Sequence, residues 1–267
     1  MIEDSIKYQT QGDSWLKRIL IGGLLLFPGA LLIIPLFTFN GYMLEVMRRV
    51  MGGDTLNPPE WGDADLADLT VDGLKHAVIV LAYTLVVLLV AGIPFFGLVL
   101  AGVGTDVGGL SVLGFLIGGL VYLVGALALA VVLPVATGNF VRVDSISAAF
   151  DLDVLRTLVT NGTMLKAVVF GFVVNVLMQV VSSILGITVV GYLAVPFLVF
   201  AGQSAIFYIW AEGFSDAYEA EYGEPPLAGV GGTTTPTAAT DETWGTDTDT
   251  TVEDGGFDDG DRTDDRF

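Results

Sequence analysis

The side chains with chemical potential in this sequence are mostly amides set in apolar surroundings. Asn175 and Gln179 are four residues apart in an apolar stretch, so on a helix they would share one face. Gln203, Asn40 and Asn139 lie in or beside similar stretches. An amide inside a membrane hydrogen-bonds a neighbouring helix or contacts a polar solute. We predict helix packing for these residues, with a solute-binding role as the alternative.

The charged and titratable residues indicate structural roles. Glu45 precedes Arg48 and Arg49 by three and four residues, the spacing of an ion pair on a helix surface, and we place this pair at the membrane interface. His76, the one histidine, has no companion for a metal site, and cysteine is absent. No nucleophile triad, zinc motif or phosphate loop can be assembled from the sequence. We therefore predict no catalytic residues, no cofactor and no metal, and we do not expect an enzyme.

Membrane helices must position these residues. The chain has 267 residues, of which 53% are hydrophobic and 15% are charged. Its apolar blocks cover residues 19–39, 77–101, 110–135 and 165–211. Because a spanning helix needs about 20 apolar residues, the second and third blocks predict one span each and the fourth predicts two. The fold class is therefore all-α, a polytopic transmembrane helical bundle with five to six membrane helices.

The first apolar block contains a possible turn at residues 27–30. Pro28 and Gly29 suit positions i+1 and i+2 of a type II turn. If the chain turns back there, all nine Lys and Arg residues before the C-terminal tail lie on one side of the membrane, as the positive-inside rule prefers. This arrangement predicts three helical hairpins in a multi-pass cell-membrane protein, both termini in the cytoplasm, and Asp106 outside. A helix over residues 14–27 would be only about 21 Å long, so it either spans or re-enters.

The C-terminal segment differs in composition from the rest of the chain. The net charge is −19, with 30 acids against 11 bases, and sixteen of the acids lie from Glu212 onward. Residues 223–267 are rich in Gly, Thr, Asp and Pro, so they predict a disordered acidic tail after a transmembrane domain over residues 1–222. The tail is either solvated without a partner or docks a basic cytoplasmic protein.

The composition also bears on source and partners. An excess of acids with only four Lys is typical of halophilic proteins, so we expect a haloarchaeal source. Among possible partners, the sequence predicts the lipid bilayer and no nucleic acid. It leaves the oligomeric state open.

Small residues indicate one close helix contact. Ser111, Gly114, Gly118 and Gly125 fall on nearly one face of a helix, which predicts that a second helix packs closely there.

Amphipathic segments precede the second and third hairpins. Over residues 63–74 and 146–159, apolar residues recur at near-helical spacing. We expect both segments to lie along the membrane interface, with Trp61 and Phe150 at the depth of the lipid headgroups.

Four stretches together resemble an archaeal membrane family catalogued as domain of unknown function 4013. In order they are "GYMLEVMRRVMGGD" (41–54), "NPPEWGD" (57–63), "VDGLK" (71–75) and "SISAAFDLDVLRTL" (145–158). The resemblance extends over about residues 2–222. It implies an all-helical integral membrane protein of haloarchaea and their relatives, and it implies no activity.

Two functions fit these observations. The first is a non-catalytic membrane scaffold or regulatory partner, because the spans lack deep charges and the acidic tail is directed at the cytoplasm. The alternative is a carrier or channel for a small neutral solute, suggested by the hairpins, the buried amides and the proline-interrupted helices. A water-accessible cavity shared by Asn175, Gln179 and Gln203 would favour the carrier.

Overall fold

The structure is a computed structural model that describes residues 1–29, 33–105 and 108–227, and these residues form only helices and connecting loops. The helices in chain order are α1 (Ile2–Tyr8), α2 (Trp15–Gly29), α3 (Ile33–Met51), α4 (Leu66–Gly104), α5 (Gly108–Val143), a 3₁₀ helix (Ile146–Phe150), α6 (Leu152–Val159), α7 (Gly162–Leu185) and α8 (Val189–Tyr222).

Four of these helices are long and apolar enough to cross a membrane: α4, α5, α7 and α8. They confirm one span in each of the second and third apolar blocks and two spans in the fourth. The break in the fourth block falls at residues 186–188, where the Thr188 hydroxyl caps α8 by accepting the Gly191 N–H at 3.0 Å. The all-α transmembrane bundle is therefore confirmed.

The first hairpin is formed by α2 and α3. Arg18, near the start of α2, forms an ion pair with Glu60, which follows the end of α3, so the two helices run antiparallel. The predicted type II turn is wrong in its position, because α2 remains helical through Pro28 and Gly29. The connection, residues 30–32, lies outside the described residues, as do Asp106 and the tail from residue 228.

This first hairpin is shorter than the others. At 1.5 Å per residue the 15 residues of α2 extend about 22 Å, less than the roughly 30 Å of a hydrocarbon core. Leu20 and Leu24 of α2 and Ile33 and Ile34 of α3 are exposed in the isolated chain. These apolar surfaces suit contact with lipid.

The buried core lies at one end of the bundle, which we call the polar end. This end comprises α1, residues 52–65, the 3₁₀ helix, α6 and the adjoining ends of the long helices. Large side chains with almost no exposure meet there from several elements: Tyr8, Tyr42, Met43, Met47, Phe140, Leu158, Met164, Phe200 and Phe214. Towards the opposite end, α4 and α5 form a hairpin with largely exposed outer faces, including Leu85, Leu89, Ile93, Leu116 and Leu123.

Glycines on α5 allow α4 to pack closely. A Cβ on Gly118 would lie 2.5 Å from the Cβ of Phe95, and one on Gly125 would lie 2.6 Å from a methyl of Val87. Gly114 similarly approaches Leu98, and the Ser111 hydroxyl donates to the Val99 carbonyl at 3.3 Å. The predicted close face of this helix is confirmed, and α4 is the helix that packs there.

The crossing of α3 and α4 is closer still. A Cβ on Gly41 would lie 1.7 Å from the Leu69 carbonyl oxygen, and one on Gly73 would lie 1.8 Å from the Phe37 carbonyl oxygen. The hydroxyls of Thr38 and Thr70 are 2.7 Å apart beside this crossing. The two backbones therefore touch where each helix carries a glycine.

Replacing Gly73 by alanine should destabilise this crossing, because α3 has to move away from the added methyl group. We expect Gly73→Ala to lower the free energy of unfolding by about 2 kcal/mol, measured by denaturant titration in micelles. Gly97→Ala on the same helix is the matched control, since nothing lies within 4 Å of its Cβ position. Equal stability of the two variants would contradict the close crossing.

Single cysteines test the orientation, because the chain contains none of its own. Asp68 is exposed in the first turn of α4, and Thr105 follows its last turn at the opposite end. We expect Asp68→Cys to react with a membrane-impermeant maleimide only in inside-out vesicles, and Thr105→Cys only in intact cells. Labelling of Asp68→Cys in intact cells would reverse the orientation derived from the basic residues.

Candidate functional site

A cleft of about 360 Å³ lies between α5 and the α7–α8 hairpin. The α5 side consists of alanine, leucine and proline, and the other two helices contribute larger side chains. The lining residues that matter here are Ala126, Ala130, Leu133, Gly171, Phe172, Asn175, Gln203, Ile206 and Trp210. The cleft is thus mostly apolar, with two side-chain amides.

The two amides come from facing helices. Asn175 lies in the second half of α7 and Gln203 lies near the middle of α8, and both side chains are partly buried. Within residues 1–29, 33–105 and 108–227, neither side chain hydrogen-bonds another protein group. The structure therefore brings Asn175 and Gln203 to one cleft without pairing them to a neighbouring helix.

Trp210 lines the cleft, but its ring nitrogen is enclosed by protein. Its Nε1 is buried and has no hydrogen-bond partner among the described residues. A Cβ on Gly171 would lie 2.7 Å from this nitrogen, so the absence of a side chain at Gly171 makes room for the indole. The sequence analysis missed Trp210. Its spacing could have indicated it, because position 210 is seven residues after Gln203 and lies on the same face of α8.

Gln179 does not join the cleft. Its side chain is exposed, and its backbone carbonyl accepts a hydrogen bond from the Ser183 hydroxyl at 2.8 Å. Met178 instead takes the position that faces α8, with its sulfur 2.2 Å from where a Cβ on Gly202 would lie. The four-residue spacing placed Asn175 and Gln179 on one helix face, but only Asn175 lies at the cleft.

Asn40 and Asn139 lie elsewhere. The Asn40 amide donates to the Leu36 carbonyl of its own helix at 2.8 Å. Asn139 is fully buried, donates to the Ala148 carbonyl at 2.7 Å and accepts from Arg142 Nε at 2.8 Å. Asn139 therefore ties the end of α5 to the 3₁₀ helix.

Glu45 contacts both arginines that follow it. Its carboxylate lies 2.6 Å from Arg48 and 3.5 Å from Arg49. Arg48 also reaches Asp72 of α4 at 3.1 Å, and Arg49 pairs with Asp63. These ion pairs connect α3 to α4 and to the loop over residues 52–65.

The Asp63 carboxylate is stabilised in its charged form. The backbone N–H of Glu60 donates to it at 3.0 Å, Arg49 pairs with it, and together they hold its pKa below the ordinary value. The resulting stabilisation is complete above the ordinary carboxyl pKa and is lost as the pH falls through the lowered pKa.

The sequence did not indicate a group of polar side chains that we call the Arg18 hub: the buried Gln9, Arg18, Tyr42 and Ser204, and the partly exposed Glu60. Arg18 is 2% exposed, pairs with Glu60 and donates to the backbone carbonyls of Gln9 and Gln11. The Gln9 amide donates to the Ser204 hydroxyl at 2.7 Å. The hub joins the N-terminal segment, both helices of the first hairpin, and α8.

Trp61 packs against the Arg18 hub. Its indole stacks on Tyr42 with ring centroids 4.3 Å apart, and its N–H donates to the Arg18 carbonyl at 3.0 Å. Trp61 is 8% exposed, so its ring packs inside the protein, and its depth in the membrane stays a prediction. Phe150 is 39% exposed and stacks on Tyr83, so it remains available to the interface.

Helix α1 docks on α8 beside the hub. Tyr8 packs on Tyr208 with ring centroids 5.0 Å apart, and Tyr8 is fully buried. Burial raises the pKa of the Tyr8 hydroxyl above its ordinary value. His76 is buried as well, and its Nε2 is 3.1 Å from the Thr137 hydroxyl of α5, so its role is a contact between helices.

Comparison with known proteins identifies the family to which this helical domain belongs. Residues 29–187 match the family described as "Protein of unknown function (DUF4013)", and this range is more than half of the chain. The chain belongs to that family. No curated protein and no solved structure matches it. In the described parts of this DUF4013 protein, no group of three or more His, Cys, Asp or Glu could hold a metal ion.

Removing the Arg18 guanidinium should weaken the polar end, because Glu60 and the carbonyls of Gln9 and Gln11 then lose a donor. We expect Arg18→Met to lower the free energy of unfolding by about 3 kcal/mol. The neighbouring, exposed Lys17 gives the control Lys17→Met, with an expected change of about 0.5 kcal/mol or less. Equal losses in the two variants would show that the Arg18 hub contributes no special stability.

Proposed function

We propose that this DUF4013 protein is a non-catalytic integral membrane protein that holds a basic partner protein at its polar end, which faces the cytoplasm of the cell membrane. Its membrane helices provide the anchor, and its acidic surface and tail provide the attraction. The proposal includes a regulatory as well as a scaffolding role, because both require the same docking surface.

The observation that carries the proposal is the surplus of exposed carboxylates at the polar end. The exposed bases among the described residues are Lys7, Lys17, Arg156 and Lys166. The exposed acids are far more numerous: Glu3, Asp4, Asp13, Asp63, Asp65, Asp68, Asp144, Asp151, Asp153, Asp216, Glu219, Glu221 and Glu224. A surface with one predominant charge favours contact with a partner of the opposite charge.

The sequence of the tail adds further acids. Helix α8 ends at Tyr222, close in sequence to the exposed acids Asp216, Glu219 and Glu221, and residues 223–267 follow it in the chain. They contain twelve acids, with only Arg262 and Arg266 to oppose them. A basic protein could therefore be engaged by the helical domain and the tail together, which raises the effective concentration of each contact.

The buried polar groups have structural uses that support a non-catalytic role. Arg18 holds the first hairpin to the N-terminal segment, and Asn139 holds α5 to the 3₁₀ helix. Arg48 is shared between Glu45 and Asp72. Each of these groups is engaged in fixing one element against another.

A carrier or channel for a small neutral solute is the second candidate, favoured by the cleft that contains Asn175 and Gln203. A hydrophilic solute would require a polar path on both sides of these amides, whereas the cleft walls are mainly apolar. A carrier would take up a labelled solute into vesicles, and Asn175→Leu would abolish that uptake.

Site-directed cross-linking tests the docking function in native membranes. A photo-cross-linker is attached to Asp216→Cys at the polar end or to Thr105→Cys at the opposite end, each in the full chain. We expect Asp216→Cys to capture a specific basic protein that Thr105→Cys does not capture. Changing the acids of residues 223–267 to Asn and Gln should reduce the capture about tenfold, because the attraction is electrostatic.

The controls separate the effect of the tail's charge from the effect of its length. The amide-substituted tail keeps the length of the native tail, so loss of capture reports loss of charge. Raising the salt concentration should weaken capture by the native chain more than capture by the amide-tail variant, which keeps only the acids of the helical domain. The proposal would be contradicted if the cross-linkers at Asp216→Cys and Thr105→Cys captured the same protein equally. It would also be contradicted if the native tail and the amide-substituted tail gave equal capture.

A further inference from the structure

We infer that a groove between α6 and the α4–α5 hairpin, which we call the Arg156 groove, binds one phospholipid. The phosphodiester of this lipid contacts the Arg156 guanidinium, and one of its apolar chains lies along the groove. The inference is independent of the docking function proposed above, because it concerns a different part of the surface and a different ligand.

The Arg156 groove has a volume of about 650 Å³, within the range of small-molecule sites. Helix α6 forms one side, the 3₁₀ helix contributes an aromatic ring, and α4 and α5 each contribute one wall residue. The lining residues that matter here are Tyr83, Val132, Phe150, Leu152, Asp153 and Arg156. The groove is therefore mainly apolar, with one base and one acid at its α6 side.

The apolar blocks of the sequence place the groove at the boundary of the hydrocarbon region. Val132 lies three residues before the end of the block over residues 110–135, about 5 Å along the helix. Tyr83 lies six residues after the start of the block over residues 77–101, about 9 Å along the helix. Helix α6 itself precedes the next block, which begins at residue 165. The groove therefore lies where the phosphates of a lipid leaflet give way to its chains.

The Arg156 guanidinium has no partner within residues 1–29, 33–105 and 108–227. The side chain is exposed, and the hydrogen bond at this residue is made by its backbone carbonyl, which accepts from the Thr160 hydroxyl at 3.2 Å. The other arginines in these ranges each contact a carboxylate or an amide oxygen, on Glu60, Glu45, Asp63 and Asn139 respectively. A guanidinium only donates, and its planar fork matches two oxygens of a phosphate. The chemistry at this point of the groove therefore selects an anion.

Asp153 restricts the charge of that anion. It is exposed, lines the same groove and lies three residues before Arg156 on α6, so the two side chains leave the helix on neighbouring positions. A second negative charge on the ligand would be repelled by this carboxylate. A phosphate monoester carries nearly two negative charges at neutral pH, whereas a diester carries one. A diester headgroup with a hydroxyl that can donate to Asp153 fits both side chains.

Exposed apolar side chains beside Arg156 require an apolar chain on the same ligand. Leu152 is 76% exposed and Phe150 is 39% exposed. Phe150 stacks on Tyr83 with ring centroids 5.1 Å apart, and the Tyr83 hydroxyl donates to the Ala149 carbonyl at 2.6 Å. This wall is therefore held in place and turns a largely apolar surface towards the groove. Inorganic phosphate would leave that surface in water, whereas a phospholipid covers it with a chain.

Native mass spectrometry of the full chain in uncharged maltoside micelles tests the inference, with dioctanoyl phosphatidylglycerol as the probe. We expect the first lipid to bind more tightly than any further ones. Arg156→Gln should weaken this first binding about tenfold, because it removes charged hydrogen bonds to the phosphate. Lys166→Gln is the matched control, since it removes another exposed base outside the groove, and its affinity should equal that of the native chain.

A second variant and three competitors complete the test. Val132→Phe fills the apolar part of the groove and keeps Arg156, so it should also weaken the first binding. Dioctanoylglycerol lacks the phosphate and inorganic phosphate lacks the chains, so neither should displace the probe. Dioctanoyl phosphatidic acid, a monoester, should bind more weakly than the probe at neutral pH.

Four results would overturn the inference. They are a first lipid bound no more tightly than later ones, unchanged affinity in Arg156→Gln or Val132→Phe, displacement by dioctanoylglycerol or inorganic phosphate, and phosphatidic acid binding as tightly as the probe. Capture of a basic protein is a separate measurement, so failure of lipid binding and failure of the docking function are distinguishable.

Discussion

The ion pair between the buried Arg18 and the partly exposed Glu60 is the contact on which the polar end depends. Arg18 is almost completely enclosed, and it must be paired because an isolated charge inside a protein is very costly. The Arg18 guanidinium finds its hydrogen-bond partners only if the N-terminal segment, the start of α2 and the loop after α3 meet at one point. That requirement fixes the first hairpin and, through Gln9 and Ser204, fixes it against α8.

The remaining charged groups of the helices also lie at the polar end, and their contacts arrange the rest of the bundle. Ion pairs and buried hydrogen bonds hold α3, α4, α5 and the 3₁₀ helix together there. Beyond that end, association no longer has a hydrophobic driving force, since lipid is as apolar as the side chains. Close packing at glycines therefore joins α4 to α5, and the cleft remains where α5 and the α7–α8 hairpin diverge.

Local patterns predicted the features that depend on local composition. Four spans follow from the lengths of the apolar blocks, and the glycine face on α5 follows from helical periodicity. The pairing of Arg18 with Glu60, 42 residues apart, depends on tertiary packing and has no local signal. The same holds for the stacking of Trp61 on Tyr42, which buries the indole inside the protein and which no local pattern indicates. At the cleft, sequence indicated Asn175 and Gln203 but could not decide which face of α7 meets α8, so Gln179 was included and Trp210 was omitted.

Hydrogen–deuterium exchange of the full chain in lipid nanodiscs tests most directly whether the Arg18 hub unites the polar end. We predict that residues 1–11, 57–61 and 200–218 exchange slowly in the native chain, and that all three accelerate together in Arg18→Met but not in Lys17→Met. Amides at residues 1–11 that exchange as fast as an unstructured peptide in the native chain, or an Arg18→Met effect confined to α2, would contradict this account.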